Sequence, residues 1–477
     1  MPCPDLSRAT AALRRHYGFR AFRPAQARVV RAVLAGGDVL AVLPTGSGKS
    51  ICFQVPALLA SGLTVVVSPL ISLMQDQVSG ARRRNIPAAA LTSAMPARER
   101  GRVVRAVRTG ELRLLYVSPE RLHSRAFRRL LAGVRVDLLA VDEAHCISEW
   151  GHDFRPSYRR IAPFRRAIGN PPCVALTATA TPETREDIAR TLGLRSPRRI
   201  IASVNRPNLR WEVVEAGALE RGVGVALDAV RATAGASIVY APTREQSVRM
   251  TEVLLRRGLR AAPYHAGLQP RVRQEIQRRF LAGELRAVCA TSAFGMGVDH
   301  PSVRLVCHLG IPGSLEAYVQ GAGRAGRDRK NARCLLIVGV DDRTVQRLLI
   351  RSSWPSPRVL AQVFEALPSE PVRMEALASL LPRVPPSEVA SAVRLLEEFT
   401  CVRCLPQARP GGVVVLRGPR GSRSRIDFEA PKRGVRRALR RLSRMEAYAR
   451  ARRCRRVEIA AYFGEGSPRC TGCDRCG

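Results

Sequence analysis

The sequence has few lysines and few acidic residues. Its only lysines are Lys49, Lys330 and Lys432, yet Lys and Arg together number 79 against 39 Asp and Glu, giving a formal net charge of +40. A coding preference explains arginine in place of lysine but does not explain the excess over acids. A surplus of this size favours a polyanionic partner, because binding one releases condensed counterions. We therefore expect nucleic acid as the partner, with a membrane surface as a distant second.

Long apolar runs and a leader sequence are also missing. No apolar run approaches the roughly 20 residues that span a bilayer, and the first ten residues lack the apolar core of a secretion signal. These absences predict no membrane association and a cytoplasmic protein, nucleoid-associated if the source is bacterial. With 477 residues, 46% of them apolar and 25% charged, the chain has the composition of a globular protein of two to four domains.

Short β-branched runs alternate with helical stretches over the first 350 residues. This alternation predicts parallel sheets covered by helices on both faces. The pattern restarts after Arg206-Pro-Asn208, so we expect two α/β lobes, at residues 1–205 and 206–350. The predicted strands are Val39–Leu43, Thr64–Val67, Leu112–Val117, Leu138–Val141, Val174–Leu176, Ser237–Tyr240, Arg286–Ala290, Val303–Leu309 and Cys334–Val338.

The pattern changes after Trp354. Three helices, at Val359–Leu367, Met374–Leu381 and from Pro386 to near Phe399, precede two short strands around an Ala-Arg-Pro-Gly turn. This order predicts a winged-helix-like insert at residues 355–420, although any small helical subdomain produces a similar pattern. A basic Gly/Ser/Arg linker follows at residues 418–425, and a strongly basic helical stretch lies at 435–457 within a predicted module at 430–477.

The segment from Leu43 to Ser50, LPTGSGKS, lies between an apolar strand and a helix. Gly46 and Gly48 let the backbone curl so that its N–H groups point at phosphate oxygens, and the helix N-terminus adds positive potential. Lys49 is expected to reach the β- and γ-phosphates, and Ser50 to ligate magnesium. Position 43 departs from the strict glycine of the pattern. The predicted nucleotide-binding residues of this loop are Thr45, Gly46, Ser47, Gly48, Lys49 and Ser50.

Two acids follow the predicted strand that ends at Val141. We expect Asp142 to hold the magnesium through water and Glu143 to orient and activate the attacking water. A strand that ends in acids is common, but its pairing with a phosphate loop is not. Together the two motifs predict an NTPase that uses ATP and Mg²⁺.

These motifs, in this order, resemble superfamily 2 helicases, and their flanks resemble the RecQ family. GFRAFRPAQ, from Gly18 to Gln26, is similar to the family's adenine-recognition motif. The resemblance implies that Phe19 stacks on adenine while Arg23 and Gln26 contact its ring and edge. Two further segments, Ser68–Gln77 and Leu176–Ala180, resemble motifs for strand contact and for coupling between lobes.

CISEWGHDFRP, from Cys146 to Pro156, resembles the aromatic-rich loop of the RecQ family and directly follows the acidic pair. Trp150, His152 and Phe154 offer flat faces for stacking on single-stranded bases, each worth roughly 1–3 kcal/mol, and Arg155 adds a phosphate or stacking contact. Because the loop starts at the catalytic acids, we expect DNA bound there to act on Glu143.

The second lobe carries QGAGRAGRD, from Gln320 to Asp328. The resemblance implies that Gln320 lines the nucleotide site and that Arg324 and Arg327 face the γ-phosphate, with Arg327 as the arginine finger. The family usually has an acid and then a small or hydroxylated residue after the glutamine, whereas this chain has Gly321 and Ala322. We therefore expect altered coupling between ATP and the lobe interface. Tyr264–Leu268 and Ala290–Asp299 match other motifs of this lobe.

Four of the 13 cysteines crowd near the C-terminus, at Cys454, Cys470, Cys473 and Cys476. Two successive C-x2-C steps with a fourth thiolate upstream predict a tetrahedral zinc site; an iron–sulfur cluster is the second reading and a redox pair the third. AYFGE, residues 461–465, is similar to the RecQ sequence before this cluster. Another C-x2-C joins Cys401 to Cys404, where chance is the preferred explanation.

The resemblance therefore implies an ATP-dependent 3′–5′ DNA helicase of DNA repair or recombination, binding single-stranded and forked or duplex DNA. Its fold class is α/β, with two RecA-like lobes, the winged-helix-like insert and a helical zinc module. The sequence ends one residue after Cys476, so we expect a short form that ends at this module. A DNA-stimulated translocase or strand-annealing factor with weak unwinding, and an RNA helicase, remain as alternatives.

Overall fold

The computed structural model describes residues 6–92, 95–148, 155–295, 300–399, 401–406, 413–417 and 426–477. The chain divides into two compact units. The first contains residues 1–310, 316–338 and 448–477, and the second contains residues 311–315 and 339–447.

The first lobe of the first unit is built on a seven-stranded sheet with the order β3-β4-β2-β5-β6-β1-β7, in which every described pairing is parallel. Leu40 and Val42 of β1 pack into one apolar cluster, whereas Val39 and Ala41 pack into another on the opposite face. Both faces are therefore covered, as a parallel sheet requires. The strands are Val39–Val42, Leu63–Val67, Ala88–Leu91, Leu114–Val117, Val136–Val141, Cys173–Thr177 and Arg198–Ile201 (β1–β7). The helices are Ser7–Tyr17, Pro24–Leu34, Ile51–Leu59, Ile71–Arg83, Ala97–Arg108, Arg125–Leu131, Ile161–Ala167 and Pro182–Leu192 (α1–α8).

The second lobe of the same unit contains a six-stranded sheet with the order β10-β11-β9-β12-β13-β8. The pairings of its first five strands are parallel. The prediction of two parallel-sheet α/β lobes is therefore confirmed. The strands are Leu209–Gly217, Ala236–Tyr240, Ala261–Tyr264, Ala287–Ala290, Val303–Leu309 and Ala332–Gly339 (β8–β13). The helices are Leu219–Ala232, Arg244–Arg256, Pro270–Leu281 and Leu315–Ala322 (α9–α12).

The second unit contains helices around their own apolar core and an antiparallel sheet with the order β14-β16-β15. The helices and strands occur close to the predicted positions, and identification of this segment as a winged helix stays a prediction. The helices are Asp342–Ser353, Pro357–Ala366, Met374–Ser379 and Pro386–Glu398 (α13–α16), and the strands are Val372–Arg373, Val402–Pro406 and Val413–Arg417 (β14–β16).

Two further helices, Ala430–Arg450 (α17) and Arg455–Tyr462 (α18), precede the cysteine-rich C-terminus. The segment after α18 returns to the second lobe, where Asp474 N–H donates to the Trp211 carbonyl of β8 at 3.0 Å. The last 30 residues therefore belong to the first unit. No helix within the described ranges combines the length and apolar character needed to cross a membrane.

Candidate nucleotide cleft and metal centre

The phosphate loop connects the end of β1 to the start of α3. Gly46 and Gly48 have φ angles of +78° and +75°, a region that glycine adopts without the steric cost paid by other residues. The Gln26 side-chain N–H groups donate to the Ser47 carbonyl at 2.8 Å and to the Gly48 carbonyl at 3.2 Å, while Arg23 donates to the Gly46 carbonyl at 2.7 Å. The loop carbonyls are therefore held by the start of α2.

The residues predicted to recognise adenine lie beside this loop. Phe19 is 54% exposed, and its ring lies 6.5 Å from that of Tyr17 at an interplanar angle of 18°. It thus offers an accessible face for stacking. Gln26 is buried and also accepts a hydrogen bond from the Arg23 backbone N–H at 2.9 Å. Because the side chains of Arg23 and Gln26 both bind protein backbone, their contact with adenine stays a prediction.

Asp142 is buried at the end of β5, where the Glu143 backbone N–H donates to its Oδ1 at 3.0 Å. Gln77 of α4 donates to its Oδ2 at 3.0 Å. Burial and the neighbouring Glu143 charge raise the pKa of Asp142 to about 6, against the opposing effect of Lys49. Gln77 was not among the residues predicted for the cleft, although it ends the segment Ser68–Gln77.

Glu143 is linked to the end of β6 through His145. Its backbone is left-handed, with φ +47° and ψ +48°, a conformation that costs a non-glycine residue roughly 1–3 kcal/mol. The buried His145 ring places Nδ1 3.3 Å from Glu143 Oε2 and 2.9 Å from Thr177 Oγ1. Thr177 in turn donates to the Thr179 carbonyl at 3.2 Å. The acidic pair is therefore connected to the segment expected to couple the lobes.

Side chains from both lobes line one cleft of about 800 Å³, a volume in the range of small-molecule sites. The first lobe contributes residues from the predicted adenine, phosphate and acidic motifs: Phe19, Arg23, Gln26, Thr45, Gly46, Gly48, Lys49, Ser50, Asp142 and Glu143. The second lobe contributes Gln320, Arg324 and Arg327. All predicted nucleotide-site residues except Ser47 thus line this cleft, and Ser47 lies within its loop.

The second-lobe arginines approach the phosphate loop closely. A Cβ atom at Gly46 would lie 3.2 Å from Arg327 Cγ, and one at Gly323 would lie 3.2 Å from Thr45 Oγ1. Arg324 is buried, and its Nη2 would lie 3.4 Å from a Cβ at Gly295. Gly46 and Gly323 therefore provide the space in which the two lobes meet.

Gly321, the departure from the family pattern, faces a buried aromatic group. A Cβ at this position would lie 2.9 Å from His308 Nε2 and 3.3 Å from Tyr240 Cε2. The His308 ring stacks on Tyr240 at 5.0 Å and lies edge-on to Tyr318 at 4.9 Å, and burial lowers the pKa of His308 to about 3. The neutral His308 imidazole therefore occupies the space that a side chain larger than glycine would need at position 321.

Of the predicted DNA-binding residues, Trp150, His152 and Phe154 lie outside the described residues. Arg155 is described: its backbone N–H donates to the Cys146 carbonyl and its guanidinium to the Pro69 carbonyl, both at 2.8 Å. Tyr158 then donates to the Asp142 carbonyl at 3.0 Å. Both ends of the predicted loop are therefore anchored beside the acidic pair.

The four C-terminal cysteines bring their Sγ atoms within 4.8 Å of one another. The Cys470 and Cys473 sulfurs are 3.8 Å apart, which is about the edge of a tetrahedron with metal–sulfur distances of about 2.3 Å. Burial opposes ionisation of Cys473, but hydrogen bonds from the backbone N–H groups of Arg455 and Arg475 and with the Cys476 and Cys470 thiols together lower its pKa to about 7. The cluster therefore fits zinc, with Cys454, Cys470, Cys473 and Cys476 as ligands.

Comparison with protein families gives three matches along the chain. Residues 23–188 match the DEAD/DEAH box helicase family, residues 223–329 the helicase conserved C-terminal domain, and residues 421–477 the RecQ zinc-binding family. The first match contains strands β1–β6, the second contains β9–β12, and the third covers the cysteine cluster.

Curated relatives align over about three quarters of the chain. It is 44% identical over 350 residues to the ATP-dependent DNA helicase RecQ of Bacillus subtilis, covering 73% of this chain and 59% of that protein. It is 40% identical to the probable ATP-dependent DNA helicase RecS of Bacillus subtilis, covering 74% and 71%. It is 42% identical to the ATP-dependent DNA helicase RecQ of Synechocystis, covering 69% and 70%. The alignments thus span 59–71% of the length of these three relatives.

Solved helicase structures share the fold. Mycobacterium smegmatis helicase Lhr bound to single-stranded DNA matches with a TM-score of 0.57 and 22% identity, covering 90% of this chain and 62% of that chain. Mss116p bound to single-stranded RNA matches with a TM-score of 0.61 and 18% identity, covering 83% and 84%. At these identities the likeness concerns the fold alone.

Proposed function

The chain belongs to the RecQ family of helicases, and from this premise we propose that it is an ATP-dependent DNA helicase. It couples ATP hydrolysis to 3′–5′ movement on single-stranded DNA and to duplex unwinding, in DNA repair or recombination. The observation that carries the proposal is the cleft lined by Lys49, Asp142 and Arg327, which come from both lobes. A nucleotide bound there touches both lobes at once, so its cleavage changes the contact between them.

Each cleft residue has a task suited to its chemistry. Lys49 binds the β- and γ-phosphates, and Ser50 and Asp142 would hold Mg²⁺, which would supply neutralisation of the phosphate charge. Glu143 orients the attacking water and accepts its proton. Arg327 and Arg324 stabilise the charge that develops on the transferred phosphate.

DNA acts on the cleft through the loop that follows the acids. The proposed stacking residues Trp150, His152 and Phe154 lie between two anchored points, Cys146 and Arg155, whose backbones are hydrogen-bonded at 2.8 Å. A DNA strand stacked on this loop therefore changes the position of the backbone that carries Glu143. This coupling makes hydrolysis depend on an occupied strand site.

The proposed domains are a nucleotide-binding lobe at 1–205, a second lobe at 206–350, a winged-helix-like insert at 355–420 and a zinc module at 430–477. We place the protein in the cytoplasm, nucleoid-associated if bacterial. All cysteines that the structure describes are free of disulfides, and a thiolate zinc site suits a reducing compartment.

Helix α17 is the proposed duplex-binding element, together with the insert. Its exposed face carries basic residues at four-residue spacing, which puts them in one row; these are Lys432, Arg436, Arg440 and Arg444. Like charges in such a row destabilise an isolated helix. Duplex phosphates relieve this repulsion, and each phosphate contact contributes about −0.9 to the slope of log K against log salt.

Duplex affinity measured over a range of salt concentrations tests this element. Changing the four basic residues to Gln is expected to reduce the magnitude of the slope by about 3 to 4, with single-strand-stimulated ATPase retained. The matched control removes four exposed charges of α5, namely Arg98, Arg102, Arg105 and Arg108. An unchanged slope in the α17 variant, or deletion of residues 355–420 without effect on duplex affinity and unwinding, overturns the assignment.

The overall function is tested by two assays on the full chain. ATPase rates with single-stranded, duplex and forked DNA, and with RNA, identify the activating polymer, while fluorescent duplexes with 3′ or 5′ tails measure unwinding and its direction. The proposal expects DNA stimulation and unwinding from a 3′ tail. DNA-stimulated hydrolysis without unwinding identifies a translocase or annealing factor instead, and preferential stimulation by RNA identifies an RNA helicase.

A further inference from the structure

Arg206, on the segment between the two lobes, holds the loop that carries the second-lobe arginines. Its guanidinium donates to the Gly323 carbonyl at 2.8 Å and also to the Gly326 carbonyl. These two glycines flank Arg324, and Gly326 directly precedes Arg327. Asn208 adds a second donor to the Gly326 carbonyl at 2.9 Å. The interlobe segment therefore holds the backbone immediately before each of the two arginines.

Arg456 holds the interlobe segment in turn. It lies in the first turn of α18, two residues after Cys454, and is 2% exposed. Its guanidinium donates to Asn205 Oδ1 at 2.6 Å, to the Arg206 carbonyl at 2.9 Å and to the carbonyls of Pro207 and Leu209. One side chain next to the cysteine cluster thus satisfies acceptors along the whole segment.

The position of Arg456 depends on the folded cysteine module. The adjacent Arg455 is fully buried and binds both carboxylate oxygens of Asp474, at 2.9 and 3.0 Å. Thr471 adds a bond of 2.8 Å to the Pro207 carbonyl. A guanidinium always carries its charge, and its donors and the carbonyls it binds are costly to leave unpaired when buried. The hydrogen bonds of Arg456 to the interlobe segment therefore depend on helix α18 keeping its place in the folded module.

We propose that Arg206 and Arg456 are positioning residues, through which the folded zinc module sets the placement of Arg324 and Arg327 in the nucleotide cleft. This inference rests on the proposed function, since it gives those arginines a part in ATP hydrolysis. The zinc module then acts on the chemical step from outside the cleft, through carbonyls of the interlobe segment and of the loop from Gly323 to Arg327.

The experiment compares Arg206→Gln, Arg206→Lys, Arg456→Gln and Arg456→Lys with the wild-type chain. Arg210→Gln is the matched control, because Arg210 lies on the adjoining strand, is exposed, and is ion-paired with Glu212 at 2.9 Å. Four quantities are measured: kcat and KM for ATP with saturating single-stranded DNA, the affinities for ADP alone and for ADP with aluminium fluoride, the zinc content, and the Tm.

Small displacements of a catalytic group lower the rate by about 10- to 100-fold, so we expect kcat of both Gln variants to fall by that factor. Affinity for ADP with aluminium fluoride, which mimics the transferred phosphate, falls by a similar factor. KM, ADP affinity and zinc content are expected to stay near wild type, because Arg206 and Arg456 do not line the nucleotide cleft and do not belong to the cysteine cluster. The Lys variants recover part of the loss, and Arg210→Gln behaves as wild type.

Wild-type kcat and fluoride-complex affinity in a zinc-replete Arg206→Gln variant overturn the inference. Loss of ADP affinity in parallel with kcat also overturns it, since that result indicates general damage to the cleft. Arg206 lies outside the zinc module, so its variants decide the matter even if Arg456→Gln does not fold. If the wild-type chain does not hydrolyse ATP, the proposed function fails, whereas the fluoride-complex affinities still decide the linkage.

Discussion

Arg327 packs its aliphatic stem over Gly46, so that a Cβ atom at Gly46 would lie 3.2 Å from Arg327 Cγ and 3.6 Å from its Cδ. These residues come from different lobes and are far apart in the chain. Their contact brings a guanidinium to the loop that is built to bind phosphates, in a cleft that Asp142 and Glu143 also line. Through this contact, a change at the bound nucleotide can alter the arrangement of the two lobes.

Arg327→Ala is expected to lower kcat for ATP by about three to five orders of magnitude, the contribution of an arginine finger in other NTPases. KM changes little, because the side chain acts on charge that develops during phosphoryl transfer. Phosphate release under saturating ATP and DNA measures the effect. The control Arg329→Ala removes a nearby arginine that does not line the cleft and keeps wild-type turnover. A kcat for Arg327→Ala within tenfold of wild type contradicts the assignment.

Glu143→Gln is expected to reduce hydrolysis by about 10²- to 10⁴-fold, because the amide cannot accept a proton from water. Lys49→Ala is also expected to abolish hydrolysis, since it removes the charge that binds the phosphates. DNA binding is retained in both variants. Phosphate release and the anisotropy of labelled single-stranded DNA give the two readouts. Retained hydrolysis in Glu143→Gln would mean that another group activates the water.

Gly321→Ala is expected to destabilise the chain by about 1–3 kcal/mol, the usual cost of overpacking, since its Cβ meets His308 Nε2 at 2.9 Å. The matched control is Gly224→Ala in helix α9, where a Cβ meets nothing within 4 Å. That substitution should stabilise the helix by up to about 1 kcal/mol. Urea unfolding of both variants supplies the comparison, and equal midpoints would show that His308 moves aside without cost.

Cys473→Ser is expected to remove most of the bound zinc, since it deletes the buried ligand of the cluster. Structural zinc contributes on the order of 10 kcal/mol to the folding of small modules, so residues 454–477 become sensitive to protease. Unfolding of these residues also breaks the hydrogen bond of 2.7 Å from the Arg185 guanidinium to the Phe463 carbonyl. Zinc content and limited proteolysis are the measurements.

Cys404→Ser is the control for the cysteine prediction. Cys404 belongs to the second C-x2-C, and among the described residues it is not part of a metal-ligating group. Full zinc content is therefore expected for this variant. Loss of zinc from Cys404→Ser, or retention by Cys473→Ser, would contradict the assignment of the ligands.

Strands with strong apolar signals were predictable from the sequence, and weak ones were not. Val303–Leu309 was predicted with the bounds that the structure has. Ala88–Leu91 was missed because alanine carries little β preference, and Arg198–Ile201 because two arginines interrupt its apolar pattern. Backbone pairing with a neighbouring strand, β4 for Ala88–Leu91 and β1 for Arg198–Ile201, overrides both local signals.

The candidate site also contains residues that were predictable from the sequence and residues that were not. Local motifs led to Lys49, Asp142 and Arg327, because each lies in a short glycine-rich or acidic pattern with known chemistry. The contact of Gln77 with Asp142 was not specified by the motif in which Gln77 lies, and the role of Arg456 carries no local signal. Arg456 binds backbone carbonyls about 250 positions earlier, and backbone acceptors leave no mark on the sequence. Such contacts require the folded structure.

The central claim is that a strand bound beside Glu143 controls cleavage of ATP in the cleft between the lobes. The most direct measurement is the steady-state ATPase rate of the purified chain with and without single-stranded DNA, repeated for Trp150→Ala. We predict many-fold stimulation of the wild-type chain, and for Trp150→Ala a loss of stimulated turnover that exceeds the loss of basal turnover. Equal rates with and without DNA in the wild-type chain would contradict the account.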